Sequence, residues 1–227
     1  MDQIQISAKN LGAAAMPNSC ARCFWIKLKT SNKIPWQIFP GIFSSIDAYT
    51  KHCVHAMINH PILPEWLLSM GDIVGYEKVP HWSKLKYFDP TNGITLTGAP
   101  DDILVCRDGS RIIPDYKTAK HTDAQDKLFP MYEAQINGYA ILCDQNAKLF
   151  IVYMAPETDE VTAARNIGGD GFSMPFVAHP VPLANDRSII DRLLSRTREI
   201  YEMKTAPTGM PGCKDCESLD GVVDLIR

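Results

Sequence analysis

Two Cys-x-x-Cys pairs, Cys20 with Cys23 and Cys213 with Cys216, stand about 190 residues apart in a chain of 227. No other feature constrains the fold as strongly, because four thiolates sharing one metal oblige the two ends to meet. Such a set suits a tetrahedral zinc ion and also an iron–sulfur cluster. Either would add its binding free energy to folding. Cys53, Cys106 and Cys143 stand alone in apolar stretches, where a buried small hydrophobe is the default reading.

The compartment follows from what the chain lacks. No apolar run approaches the roughly 18 residues needed to span a bilayer. Residues 1–15 have no charged start followed by an apolar block, so they do not read as a secretory signal. The expectation is a cytoplasmic protein with no membrane association, in which seven cysteines point to metal or chemistry and away from a disulfide framework. Hydrophobic residues make up 45% and charged residues 22%, as in an ordinary globular domain. The expected organisation is one domain over residues 1–227, with a core at about 40–180 and a metal clasp drawn from 17–35 and 205–220.

A net charge of −3 makes no global case for nucleic acid, but the charge is uneven. Residues 1–46 carry Lys9, Arg22, Lys27, Lys29 and Lys33 against Asp2 alone. Arg187, Arg192, Arg196, Arg198 and Lys204 form a second group, diluted by Asp186, Asp191 and Glu199. Such groups can line a phosphate-binding groove, or simply cover solvated helix faces.

Periodicity supplies the elements. Residues 20–29 read as a short helix with Ser19 as N-cap. Residues 44–59 read as an amphipathic helix with Ile46, Tyr49, Cys53 and Met57 on its apolar face, ended by Pro61 and Pro64. A strand is expected at 72–79. Residues 94–97 lead through Gly98-Ala99-Pro100-Asp101-Asp102 into a continuing strand at 103–106. Asp108-Gly109 marks a hairpin turn, with the return strand at 111–117. A helix over 126–143 and a buried strand over 147–154 follow. Residues 161–164 and 173–178 are expected to pair at the sheet edge, and 188–203 forms a long helix. The order predicts an α/β fold with a mixed central β-sheet flanked by helices.

Asp115-Tyr116-Lys117 ends the return strand. Strand side chains alternate, so Asp115 and Lys117 share a face and Tyr116 points away. The hairpin brings Asp101 alongside. Two carboxylates held together repel unless a proton or cation lies between them. Mg²⁺ or Mn²⁺ suits oxygen ligands of this kind. A plain ion pair between Asp115 and Lys117, beside an unrelated Asp-rich turn, is the competing explanation.

Gly98-x-x-Asp101, Asp115-Tyr116-Lys117-Thr118 and Gln135-x-x-x-Tyr139 occur in the order and spacing of a known family. The chain resembles the RecB-like branch of the PD-(D/E)XK nucleases, which includes the CRISPR-associated iron–sulfur nucleases. The resemblance runs from Cys20 to Cys216 and implies a restriction-endonuclease-like core. It implies Asp101, Asp115 and the Tyr116 carbonyl as metal ligands and Lys117 as the catalytic lysine. Gln135 and Tyr139 would then face the site, four residues apart on one helix face. The family usually adds a His ligand from an early helix after a glycine. Here Ser45 stands at that place after Gly41, leaving Asp47 as the preferred further ligand and His52 as the second choice.

The implied activity is Mg²⁺- or Mn²⁺-dependent hydrolysis of DNA phosphodiester bonds, on single strands or ends, in DNA repair or CRISPR adaptation. Possible partners are a helicase or a recombination or adaptation complex. The alternative is a nucleic-acid-binding or partner-docking module that keeps the fold without cutting. By the same resemblance a 4Fe-4S cluster on Cys20, Cys23, Cys213 and Cys216 is favoured. The relatives' cysteines are arranged one plus three and this chain's two plus two, which keeps zinc as the alternative.

Overall fold

The computed structural model describes residues 3–31, 40–120 and 127–225. Lys33 and the expected helix start at residue 126 lie outside them. The described elements run β1 (Ile4–Ser7), α1 (Ala8–Gly12), α2 (Ala21–Lys29), α3 (Gly41–Ile58), α4 (Glu65–Met70), β2 (Ile73–Glu77), β3 (Lys86–Asp89), β4 (Ile94–Thr97) and β5 (Ile103–Cys106). They continue with β6 (Arg111–Thr118), α5 (Phe129–Cys143), β7 (Lys148–Pro156), α6 (Glu160–Arg165), β8 (Ile167–Gly168), β9 (Gly171–Phe172), β10 (Phe176–Leu183), α7 (Arg187–Tyr201) and α8 (Lys214–Leu225).

Period-two alternation builds the centre. On β6, Ile113 enters one apolar cluster with Ile136, Leu149 and Ile190, while Ile112 and Tyr116 enter another with Val54, Leu67 and Val152. Each fully buried Ile, Leu or Val contributes roughly 1.5–3 kcal/mol. The two faces together fix the register, because a one-residue slip would exchange them. Five strands follow the order β10-β7-β6-β5-β2. β6 and β7 pair in parallel, with Asp115 opposite Ile151 and Lys117 opposite Tyr153, and α5 is the crossover between them. β5 and β10 run antiparallel to their neighbours, so the sheet is mixed as expected.

The β5–β6 hairpin turns at Gly109, whose φ of 80° suits glycine. Pairing covers only Leu104 with Ile112 and Val105 with Arg111. Beyond it comes Pro114, which has no N–H to give to a ladder. The strands separate there, and the gap is where the polar side chains gather.

Several expectations need correction. β4 does not continue into β5's sheet. It pairs with β1 and β3 in a separate three-stranded sheet, because Gly98 to Asp102 redirect the chain. Residues 161–164 belong to helix α6, since the Asp159 side chain accepts the Thr162 N–H at 2.9 Å and starts a helix there. The edge partner of β7 is β10. The residue capping α2 is Cys20, without a side-chain hydrogen bond, and not Ser19. On α3 the buried residues are Val54 and Ile58. Ile46, Tyr49, Cys53 and Met57 instead line an open groove of about 1020 Å³ shared with α4 and β10.

Candidate active site and cysteine centre

Asp115 reaches its position because β6 is buried on both faces. Its side chain is 1% exposed. One oxygen accepts a long hydrogen bond from Gln135 Nε2 at 3.4 Å. The other, Oδ2, lies 2.6 Å from Lys117 Nζ but has no partner in hydrogen-bond geometry. Burial pushes the Asp115 carboxyl up to about 7; Lys117 opposes the rise and Asp101 adds to it. The buried carboxylate thus has one cationic partner, Lys117, and one oxygen that accepts no hydrogen bond.

Asp101 sits in the β4–β5 turn. Its Oδ2 accepts the Tyr116 backbone N–H at 2.9 Å, in the gap where β5 has left β6. Its Oδ1 lies 2.9 Å from Lys51 Nζ. Lys51 also reaches Asp47 Oδ2 at 2.9 Å, one turn earlier on α3. Burial opposes the charge on Lys51, yet Asp101 and Asp47 outweigh it and hold its pKa above the ordinary value.

The Lys117 ammonium also donates to Gln135 Oε1 at 3.2 Å and lies 4.5 Å from the centre of the Tyr132 ring. Gln135 Nε2 donates to the Tyr139 hydroxyl at 2.7 Å. Gly98 completes this wall. Its φ of 153° disfavours other residues, and a Cβ there would stand 3.0 Å from the Tyr139 ring.

Behind the site is a second network. Asp102 is 2% exposed; His55 Nε2 lies 2.9 Å from both its oxygens, and the Tyr116 hydroxyl donates to it at 3.2 Å. His55 stacks on Tyr76 with 3.8 Å between ring centres. Burial raises the Asp102 pKa, and His55 and Tyr116 oppose that rise.

Asp101, Asp115, Lys117, Gln135 and Tyr139 are thus brought together, and the Tyr116 backbone lies between the two acids. Asp47 approaches only through Lys51. His52 is exposed and makes no described contact with the group; the histidine that reaches inward is His55. Sequence reading missed Lys51, His55 and Asp102. A signal existed: Asp47, Lys51 and His55 are spaced by four and so share one face of the helix.

The oxygen donors of Asp101 and Asp115 fit Mg²⁺ or Mn²⁺, and Asp115 Oδ2, which has Lys117 beside it but accepts no hydrogen bond, is an oxygen such an ion could use. Among the described residues, only the four cysteines form a group of three or more potential His, Cys, Asp or Glu ligands. The acidic pair therefore has no third side chain of that kind beside it.

The cysteine group lies where α2 meets α8. All four sulfurs are within 4.8 Å of one another, with Cys20–Cys216, Cys23–Cys216 and Cys23–Cys213 separations of 3.5, 3.4 and 3.6 Å. Burial opposes ionisation of Cys20, but N–H groups of Cys23 and Met210 and the other thiols prevail and lower it to about 6. Burial raises the Cys23 and Cys216 thiols. A bidentate ion pair from Arg22 to Asp220 joins the same helices, and Trp25 Nε1 donates to the Met203 carbonyl at 3.1 Å. The ends meet, as the spacing of the cysteines required.

No helix among the described residues is long and apolar enough to cross a membrane. No curated protein matches the chain in sequence. A solved structure, "Crystal structure of SSO0001", is similar at a TM-score of 0.48 and 13% identity over 91% of this chain and 80% of that one. The pattern of the PD-(D/E)XK nuclease superfamily matches residues 13–220, which is most of the sequence and includes the acidic pair, the lysine and all four cysteines. The chain belongs to the PD-(D/E)XK nuclease superfamily.

Proposed function

We propose that the chain hydrolyses DNA phosphodiester bonds, acting on single strands or ends, with Asp101 and Asp115 holding Mg²⁺ or Mn²⁺. The observation that carries the reading is the buried Asp115 Oδ2, which accepts no hydrogen bond and lies 2.6 Å from Lys117 Nζ in a carboxylate that also feels Asp101. When bound, the ion would polarise the scissile phosphate and make a water more acidic. Lys117, fixed by Gln135 and Tyr132, keeps its ammonium where it can orient the attacking water or meet charge growing on the phosphate oxygens. Gln135 holds both Asp115 and Lys117, and Tyr139 holds Gln135, so the pair acts by positioning.

The test is incubation with end-labelled and circular DNA, single- and double-stranded, with and without Mn²⁺. Lys117→Ala and Asp115→Ala should each abolish cleavage while folding and cysteine-bound metal persist. Wild-type cutting by either variant would defeat the assignment. One observation favours the second reading, a module that binds nucleic acid without cutting: Lys51 already occupies Asp101, and among the described residues no third acidic or histidine ligand joins the pair. DNA binding with no cleavage in Mg²⁺ or Mn²⁺ would establish it.

For the cysteine centre, the sulfur spacing supports a single tetrahedral ion. Zinc with Zn–S bonds of about 2.3 Å places its sulfurs about 3.8 Å apart, close to the separations of 3.4–3.6 Å seen here. A four-iron cube interposes its own atoms and needs thiolates held wider apart. The 4Fe-4S reading rests on resemblance to the RecB-like branch alone. Anaerobic purification separates the two: a colourless protein with one zinc supports the ion, and a brown iron-containing one supports the cluster.

A further inference from the structure

We propose that Lys51 is a resident counter-ion, seated on Asp101 in the metal-free protein and driven off when the divalent cation binds. Lys51 then sets how tightly the site takes its metal. The inference rests on Asp101 and Asp115 being the metal's carboxylates. Lys51 Nζ is 2.9 Å from Asp101 Oδ1, within the space a cation on that oxygen would need. An ammonium and a divalent ion at such range repel strongly, so both cannot stay. With every group ionised, three carboxylates (Asp47, Asp101, Asp115) face two ammonium groups (Lys51, Lys117), which leaves one negative charge to attract an ion.

The two lysines are held differently, and this decides which one moves. Lys117 stands on a central strand, hydrogen-bonded to Gln135 and lying over Tyr132. Lys51 has a flexible stem on α3, a partly exposed side chain and a second anchor, Asp47, one turn away on its own helix. When Asp101 turns to the metal, Lys51 withdraws toward Asp47 without losing its charge partner. Asp47 therefore serves Lys51 in place of binding the ion itself.

Mn²⁺ binding, read from the electron paramagnetic resonance of the free ion, tests this on whole protein without nucleic acid. Lys51→Met should bind Mn²⁺ about threefold to tenfold more tightly than wild type, the worth of a partly exposed ion pair. Lys51→Gln should do the same, and matched melting curves show that both are folded. Asp47→Asn should weaken binding clearly more in the wild-type background than beside Lys51→Met. The inference is overturned if neither Lys51 variant binds more tightly, or if Asp47→Asn weakens binding equally in both backgrounds. Failure of the underlying metal assignment looks different: Asp115→Asn would then bind Mn²⁺ as well as wild type.

Discussion

Asp115→Asn measures what the fold gives up to hold its carboxylate ready. In the unfolded chain this group releases its proton near 3.8; in the folded, metal-free protein burial holds the proton until about pH 7. Below pH 3.8 both states are protonated and the group has no effect on stability. Between the two values the unfolded chain ionises while the folded one does not, so stability falls as pH rises. Above about pH 7 the deficit levels off. The span from 3.8 to about 7 corresponds to roughly 4 kcal/mol as an upper limit. Asparagine has nearly the same shape and cannot ionise, so the variant should track the protonated wild type at every pH.

The assay is urea unfolding of both proteins from about pH 4 to about pH 8, with no divalent cation added. The two should be nearly equal at the acid end. At the alkaline end Asp115→Asn should be more stable, by about 2–4 kcal/mol. Added Mn²⁺ should narrow the gap by stabilising wild type alone. A gap that does not change with pH, or a variant less stable than wild type near pH 8, would refute the account of Asp115.

Other perturbations probe other contacts. Tyr139→Phe removes the hydroxyl that accepts from Gln135, and should lower kcat with little change in KM, whereas Gln135→Ala should lower it further because Lys117 also loses its acceptor. His55→Ala leaves Asp102 with the Tyr116 hydroxyl alone and should cost about 1–3 kcal/mol in denaturant unfolding. Gly98→Ala forces a side chain into a positive-φ position against Tyr139 and should cost about 1–3 kcal/mol, read in the same way. Cys216→Ser, or removal of the cysteine-bound metal by a chelator, should lower Tm and expose α8 to proteolysis ahead of the core.

Much of this was legible because the signals were local. Asp108-Gly109 fixes a hairpin whatever lies around it, and alternation along residues 111–117 sets Asp115 and Lys117 on one face. The cysteine spacing announced that the ends meet. What escaped depended on partners distant in sequence. β1 is only four residues long and becomes a strand by lying beside β4, some 90 residues later. On α3 apolar residues occupy more than one face, so periodicity alone could not say that Val54 and Ile58 face the core. The same ambiguity hid Lys51 and His55, whose direction follows from which side of α3 is buried. Residues 161–164 looked like a strand by hydrophobicity, and a single capping bond from Asp159 made them a helix.

These energies bear on why the two centres occur in one chain. The buried Asp115 carboxyl, even beside Lys117, costs up to roughly 4 kcal/mol at neutral pH, a large share of the 5–15 kcal/mol by which domains are stable. A metal joining Cys23 to Cys213 closes a loop of 190 residues. Because the site that holds such a metal forms only on folding, its binding free energy adds to the stability of the folded chain. The two contributions have opposite signs. A metal clasp at the ends can therefore offset a buried carboxylate at the centre without touching it, leaving Asp115 Oδ2 free of the hydrogen bonds that would occupy the oxygen a cation needs.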